Sequence, residues 1–331
     1  MTVNLIKNSN FNNGSANWGQ GGWYSTNTVA FLNSGGYGGG ACAKLAVEPS
    51  PDPGMTYITQ NVLLKAGQQY TLKFKAKREN NIDIWYRVQT SAGLVSSPSL
   101  VSQLTPGTYS QVSYPFTAAG TSGQVYSATI ILIASSAQGT AWFDDVDLQG
   151  EEFKFYNRNG AIQYAQNWCN GHNPLFPDYD NDGNPNASDC ANFVSQCMRE
   201  GGEVPEKFTT NVNSYDIWYF RNANDRTPSW TGAQSLRLFV KYNTAGYPQM
   251  PATFLADNQI NQLQKGDLVF ALNNDGDSKA NRTAYHVAMV SRVVGSTVYV
   301  YAHSAKKDDE AWGAAAADTI FCKFSDAIQL S

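Results

Sequence analysis

The 331-residue chain is 42% hydrophobic and only 15% charged, with a formal net charge of −4. A charged fraction well below the usual ~25% leaves amides, hydroxyls and glycine to cover the surface, and no basic stripe of the kind that tracks nucleic-acid phosphates is visible in the sequence. The length suggests two domains, and the longest apolar stretch, residues 128–134, is far too short to cross a bilayer as a helix.

Residues 1–150 carry 8 basic and 7 acidic side chains, against 15 and 20 in the rest. Aromatics reach 13% of the chain, with 8 Trp and 18 Tyr, and a surface of amides, hydroxyls and rings suits neutral glycans. The first ten residues lack a charged segment followed by an apolar run, so no signal peptide is expected. Action outside a cell would then need release by another route, or a leader removed beforehand.

The first half reads as β structure. In residues 70–77, Tyr70, Leu72, Phe74 and Ala76 face one way, and Thr71, Lys73, Lys75 and Lys77 the other. The alternation recurs in 82–89, 110–116 and 127–134, between clusters such as Gly38-Gly39-Gly40 and Pro106-Gly107. Many short strands with regular punctuation predict an all-β sandwich. In 82–89 the odd positions set Asp83, Trp85, Arg87 and Gln89 on the face away from the core. An outward Trp among charged and amide groups offers a sugar ring a flat platform with hydrogen bonds at its rim. Trp18, Trp23 and Tyr24, in Gly-rich loops, would extend that surface, although Trp18 reads more readily as core, and the alternative for Trp85 is that a loop or the second domain covers it.

Residues 4–18, residues 62–72 and the close Ala141-Trp142-Phe143-Asp144-Asp145-Val146-Asp147-Leu148 resemble the jelly-roll carbohydrate-binding modules appended to bacterial glycan hydrolases. The resemblance covers nearly all of 1–150 and implies a jelly-roll sandwich that binds a polysaccharide. Members often hold a structural calcium, for which Asp145 is a candidate ligand here.

Past residue 150 the texture changes. Helical spacing marks 156–169 and 190–200, with a third helix at 235–242, and strands follow at 267–272, 286–293, 297–303 and 320–324. Helices first and an antiparallel sheet second predict an α+β domain over 151–331.

Its sharpest signal is Asp189-Cys190-Ala191-Asn192-Phe193. Ser188 or Asp189 serves as N-cap, which sets Cys190 in the first turn, where free N–H groups and the helix dipole favour a thiolate. The alternative for Cys190 is a small buried hydrophobe. The other cysteines, at 42, 169, 197 and 322, read as packing residues rather than a disulfide framework.

A base must come from three histidines. His172 ends a helix and reads as surface. His286 and His303 flank a hairpin, and a turn centred on Val294-Gly295 puts them directly opposite each other, about 4.5–5.5 Å apart at Cβ. A one-residue bulge would destroy that pairing. Two such histidines form half a metal site or a base with its orienting partner, and no third ligand supports zinc. The alternative is two unrelated strand histidines.

Residues 156–165, the run from Asp189 to Gln196, residues 229–240, Lys265-Gly266-Asp267 and His286-Val287-Ala288-Met289-Val290 resemble the putative amidase domain of bacterial and phage proteins, in the NlpC-type branch of papain-like cysteine hydrolases. The resemblance implies Cys190 as nucleophile, His286 as base and His303 as the third polar member. Residues 273–285 are inserted relative to that pattern.

The acidic loop 178–189 opens Asp178, Asp180, Asp182, Gly183, the spacing of a calcium-binding loop. A solvated Asx-rich turn is the other reading, because residue 189 is Asp rather than Glu and Pro185 is unusual there. No cofactor is expected for catalysis. The expectation is a cell-wall hydrolase that cuts an amide bond of peptidoglycan by a Cys190, His286, His303 mechanism, held by a glycan-binding module, with no nucleic-acid or membrane partner. Its place of action is the bacterial wall, reached as a phage lysin or a phage-particle component would reach it. The alternatives are acyl transfer by the same residues, or a glycan-binding structural protein with an inactive enzyme domain.

Overall fold

A computed structural model of the chain describes residues 2–23, 26–49, 54–94, 99–101, 104–181, 188–208, 216–243 and 246–331. Two compact units are present, residues 1–153 together with Ser331, and residues 154–330.

The N-terminal unit contains the strands β1 (Gly19–Trp23), β2 (Thr28–Leu32), β3 (Cys42–Val47), β4 (Gly54–Lys65), β5 (Gln69–Thr90), β6 (Ser110–Thr117) and β7 (Val125–Gly150). Residues 70–77 and 82–89, expected as separate strands, belong to one strand of 22 residues, and 127–134 lies in one of 26. The first half of β7 pairs with β4, the second half with β3, and β5 follows β7 along most of its length. Register slips between Ser136 and Gly139 and between Asp144 and Asp147, irregularities of the kind that bend a strand from one layer into the next. Inward residues of both halves, among them Leu45, Ile58, Leu72, Phe74, Ile84, Val88, Ile130 and Phe143, make one core. The unit is an antiparallel β sandwich. Trp18 packs on Phe11 inside it, and its Nε1 donates to the Asn8 carbonyl at 3.1 Å.

The C-terminal unit has three main helices, α1 (Arg158–Trp168), α2 (Cys190–Gln196) and α3 (Ala233–Tyr242). Its strands are β8 (Ala252–Leu255), β9 (Leu268–Leu272), β10 (Ala284–Val294), β11 (Thr297–Ala302), β12 (Lys307–Ala311) and β13 (Thr319–Phe324). They form a six-stranded antiparallel sheet in the order β8-β13-β9-β10-β11-β12. One face, with Leu268, Phe270, Val287, Met289 and Tyr301, packs against Ala161, Ala165, Phe193, Val194 and Leu236 of the helices. The alternate residues Val269, Ala288, Val290 and Val300 form a smaller cluster on the other face.

Helix α1 is fastened to this sheet through charge. Asn157 caps it by accepting the Gly160 N–H, and Arg158 in the first turn pairs with the fully buried Asp267 at 2.7 Å. Asp267 also accepts the N–H groups of Gln264 and Phe324. Gly266, at φ +83°, lets its carbonyl receive the Tyr156 hydroxyl at 2.9 Å. The Gly266-Asp267 pair is thus a structural joint between α1, β9 and β13.

Candidate active site

Helix α2 is buried at all seven positions and continues through a π turn, Cys197–Gly201. Cys190 opens it with 2% exposure. Burial pushes the thiol up, and hydrogen bonds from Ser188 and from the N–H groups of Val287 and Ala191 offset part of that rise. The five cysteines of the chain are all free and buried. Only Cys190 sits at a helix start with donors gathered around its sulfur.

Asp189 does not cap α2 through its side chain. With 1% exposure its carboxylate needs donors. It takes the His303 Nδ1–H at 2.6 Å, the Asn192 amide at 2.8 Å and the Tyr179 N–H at 3.3 Å. The other His303 nitrogen, Nε2, lies 2.9 Å from the Trp168 carbonyl, and the ring stacks on Phe193 at 4.0 Å. Both partners are acceptors, so both ring nitrogens must donate and the imidazole is a cation. Burial pulls its pKa down, but the hydrogen bonds to Asp189 and Trp168 and the Asp189 charge raise it overall.

The expected opposition of His286 and His303 does not occur. The turn lies at Gly295-Ser296, and the register shifts between Val290 and Arg292, so Ser291 is the extra residue on β10. Such a bulge moves every residue beyond it by one place. Met289 therefore faces Tyr301. His303 points to the helix side, where Tyr301 also packs, and cannot orient His286 because both its nitrogens are engaged.

His286 occupies the opposite environment. Its ring lies parallel to Trp312, with centroids 5.8 Å apart and 4° between planes. Its Nε2 is buried and has no hydrogen-bond partner among the described residues. Burial lowers its pKa to about 4, despite the opposing field of Asp180, so the ring is neutral at pH 7. It lines a pocket of about 420 Å³ with Ser188, Tyr285, Ser304, Lys307 and Trp312. Cys190 sits behind Ser188, whose hydroxyl is 3.3 Å from Sγ and 3.0 Å from the Ser304 hydroxyl.

Sequence reasoning missed Ser188 as a pocket wall, Ser304 and Trp312. Ser304 stands at φ +65°, unusual for a side-chain-bearing residue. Asp180 holds it there by accepting its N–H at 2.8 Å and its hydroxyl at 2.5 Å, and accepts the Asp189 N–H at 3.1 Å. Asp178 accepts the Asp180 N–H and the Asn181 amide. Asp178 and Asp180, two members of the candidate calcium loop, thus accept from separate protein donors. Asp182 lies outside the described residues. The insertion 273–285 is tied down by the buried Arg237, which donates to the carbonyls of Lys279, Ala280 and Arg282, and it brings Tyr285 to the pocket.

In the N-terminal unit the sheet gathers the candidate sugar residues. Asp83 on β5 faces Ser135, Met55 and Trp23 in one cross-strand row, and Trp85 faces Ile133, Tyr57 and Gly21 in the next. Three strand spacings put the Trp23 and Asp83 backbones about 14 Å apart. A Cβ at Gly21 would come within 2.4 Å of the Tyr57 hydroxyl, so the glycine makes room for that ring. Trp23 is 61% exposed. Trp85 Nε1 and Arg87 Nε are buried and have no hydrogen-bond partner among the described residues. Tyr24 lies outside the described residues.

Several solved structures resemble part of this chain. The module TmCBM61, solved with beta-1,4-galactotriose, is 19% identical, with a TM-score of 0.34 over 44% of this chain and 97% of that one. A family 16 carbohydrate-binding module is also 19% identical, with a TM-score of 0.33 over 44% and 99%. A Stig cyclase from Fischerella sp. TAU reaches 0.37 at 16% identity over 46% and 99%. At these scores the likenesses assign no ligand. The uncharacterized protein YhbB of Bacillus subtilis (strain 168) is 28% identical over 156 residues, 46% of this chain and 45% of that protein, so the match spans less than half of the relative. The family model described as Putative amidase domain matches residues 155–324. Covering just over half of the chain, and enclosing Cys190, His286 and the pocket between Ser188 and Trp312, that match places the chain in this amidase family.

Proposed function

We propose that the chain is a cysteine amidase or endopeptidase of the papain-like, NlpC-type kind that cuts an amide bond of peptidoglycan, while the N-terminal unit holds a wall glycan. The reading rests on one observation above all. A buried thiol that opens a helix lies 3.3 Å from the Ser188 hydroxyl, and Ser188 lines one pocket with a neutral imidazole whose buried nitrogen is unpaired among the described residues. Cys190 is the nucleophile and His286 the base. Sγ turns from Ser188 toward the pocket, gives its proton to His286 and adds to the amide carbonyl. The tetrahedral adduct collapses as His286 returns that proton to the leaving amine, and water then cleaves the thioester with His286 again as base. Backbone N–H groups at the start of α2 steady the oxyanion. His303 acts by holding Asp189, and through it the helix start.

The sugar face supports the targeting half of this reading. Trp23, Tyr57 and Trp85 supply rings, and Asp83 and Arg87 supply polar edges.

Digestion of purified bacterial walls with wild type and Cys190→Ala, followed by mass spectrometry, tests the reading. New amino termini with wild type alone support hydrolysis, and the fragment masses tell a muramoyl-alanine cut from one inside the stem peptide. Products joined to an added amine in place of water would make the enzyme an acyl transferase. Glycan binding with no wall product would overturn the enzymatic reading.

A further inference from the structure

The outer face of the other half-sheet of the N-terminal unit has a different character. Lys73, Lys75 and Lys77 share that face of β5, and Lys44 lies on β3. Trp142 of β7 stands between two of them, opposite Lys77 on one side and Lys44 on the other. Lys77 Nζ is 4.2 Å from the Trp142 ring and 5.2 Å from that of Tyr109. Lys44 is 5.7 Å from Trp142, and Lys75 is 4.2 Å from Tyr37. Among the described residues none of these four lysines forms an ion pair.

The rings are held in place. The buried Asp144 carboxylate accepts the Tyr37 N–H at 2.8 Å, and the Tyr109 hydroxyl donates to the Gly35 carbonyl at 2.9 Å. The acids on this face are Asp144, opposite Lys75 and bonded to the N–H groups of Tyr37 and Asp145, Asp147, opposite Lys73 and bonded to the Gln149 amide, and the exposed Glu79, two residues past Lys77. At Lys73 the stripe opens into a cleft of about 540 Å³ lined by Gln69, Thr71, Thr117, Asp147 and Gln149.

Ammonium groups over aromatic faces, in no ion pair among the described residues, are set to receive anions. Same-face residues of a strand are about 7 Å apart, so the stripe presents charge at a regular interval beside a cleft of amides and hydroxyls that also holds the Asp147 carboxylate. We propose that this face binds an anionic polyol or sugar polymer, its repeating anions on Lys44, Lys75 and Lys77 and its hydroxyls in the cleft at Lys73. The stripe is hidden in the linear sequence because three lysines alternate with core residues and the fourth comes from another strand. The proposal does not depend on the amide-cleaving reading, and it concerns the layer opposite Trp85.

Binding of the full chain to poly(glycerol phosphate), polygalacturonate, a neutral galactan and a single-stranded DNA oligomer, measured by calorimetry, tests it. The expected result is binding to one or both anionic polymers that weakens as salt rises. The Lys44→Gln/Lys77→Gln variant should lose about tenfold or more in affinity at an unchanged melting temperature. Lys44→Arg/Lys77→Arg should keep binding, as should Trp85→Ala. Preference between the two polymers tells phosphate from carboxylate recognition. No binding to either polymer, equal binding by the glutamine variant, or tighter binding to DNA would overturn the proposal.

Discussion

His286 sits on β10 and His303 just past the end of the neighbouring β11, yet their surroundings are opposite. On the helix side, His303 gives both ring protons to Asp189 and Trp168 and stacks on Phe193. On the pocket side, His286 lies against Trp312 with Nε2 buried and unpaired. A saturated imidazole has no capacity left for substrate. An unsaturated one bears a desolvation cost that folding alone does not explain. Under the proposed mechanism, saturation of hydrogen bonds separates the structural histidine from the chemical one.

Removing groups one at a time sharpens this contrast. Cys190→Ala should leave no wall product above background in the mass-spectrometric assay. His286→Gln should keep the fold and lower turnover on the order of 10²–10⁴-fold, measured as kcat with the melting temperature as control. Loss of stability without loss of turnover per folded molecule would make His286 structural and dissolve the distinction.

The partner substitution should do the reverse. Asp189→Ala leaves a buried imidazolium without its carboxylate, and a cost of about 3 kcal/mol is expected from urea unfolding. An effect under ~1 kcal/mol would mean that His303 is neutral in the folded protein.

Titration separates the two again. The folded pKa of His286, about 4, lies below the unfolded value of ~6.5, so its contribution to stability is complete above pH 6.5 and is lost as pH falls toward 4. The folded pKa of His303 is raised, so its contribution is complete below ~6.5 and is lost as pH rises through the folded value. Urea midpoints measured across pH should lose their acid limb in His286→Gln and their alkaline limb in His303→Gln. In the other unit, Trp85→Ala should weaken binding to a neutral wall glycan by about tenfold, without changing amide cleavage of soluble peptides.

Much of this molecule is legible before folding. Period-two alternation in Tyr70, Leu72, Phe74 and Ala76 survives because one face of the strand is buried. The helix at Cys190 is announced by the apolar stripe of Phe193, Val194 and Cys197, all buried. The bulge at Ser291 is not legible, since an extra residue changes pairing without changing hydropathy, and it decides which side of the sheet His303 occupies. Asp189 reads as a cap because local rules favour it, but a buried cation 114 residues away claims the carboxylate. Trp312 and Ser304 are distant in sequence from Cys190, and only tertiary contacts bring them to the pocket.

The two long strands of the N-terminal unit have a mechanical consequence. Because β5 and β7 run through both half-sheets and pair from Thr90 and Ala128 to Leu72 and Leu148, the two outer faces are parts of the same polypeptide strands. A pull along them loads many rungs of hydrogen bonds in shear at once, rather than opening them one by one. A protein gripping a taut polymer through this unit would resist being torn loose by unfolding.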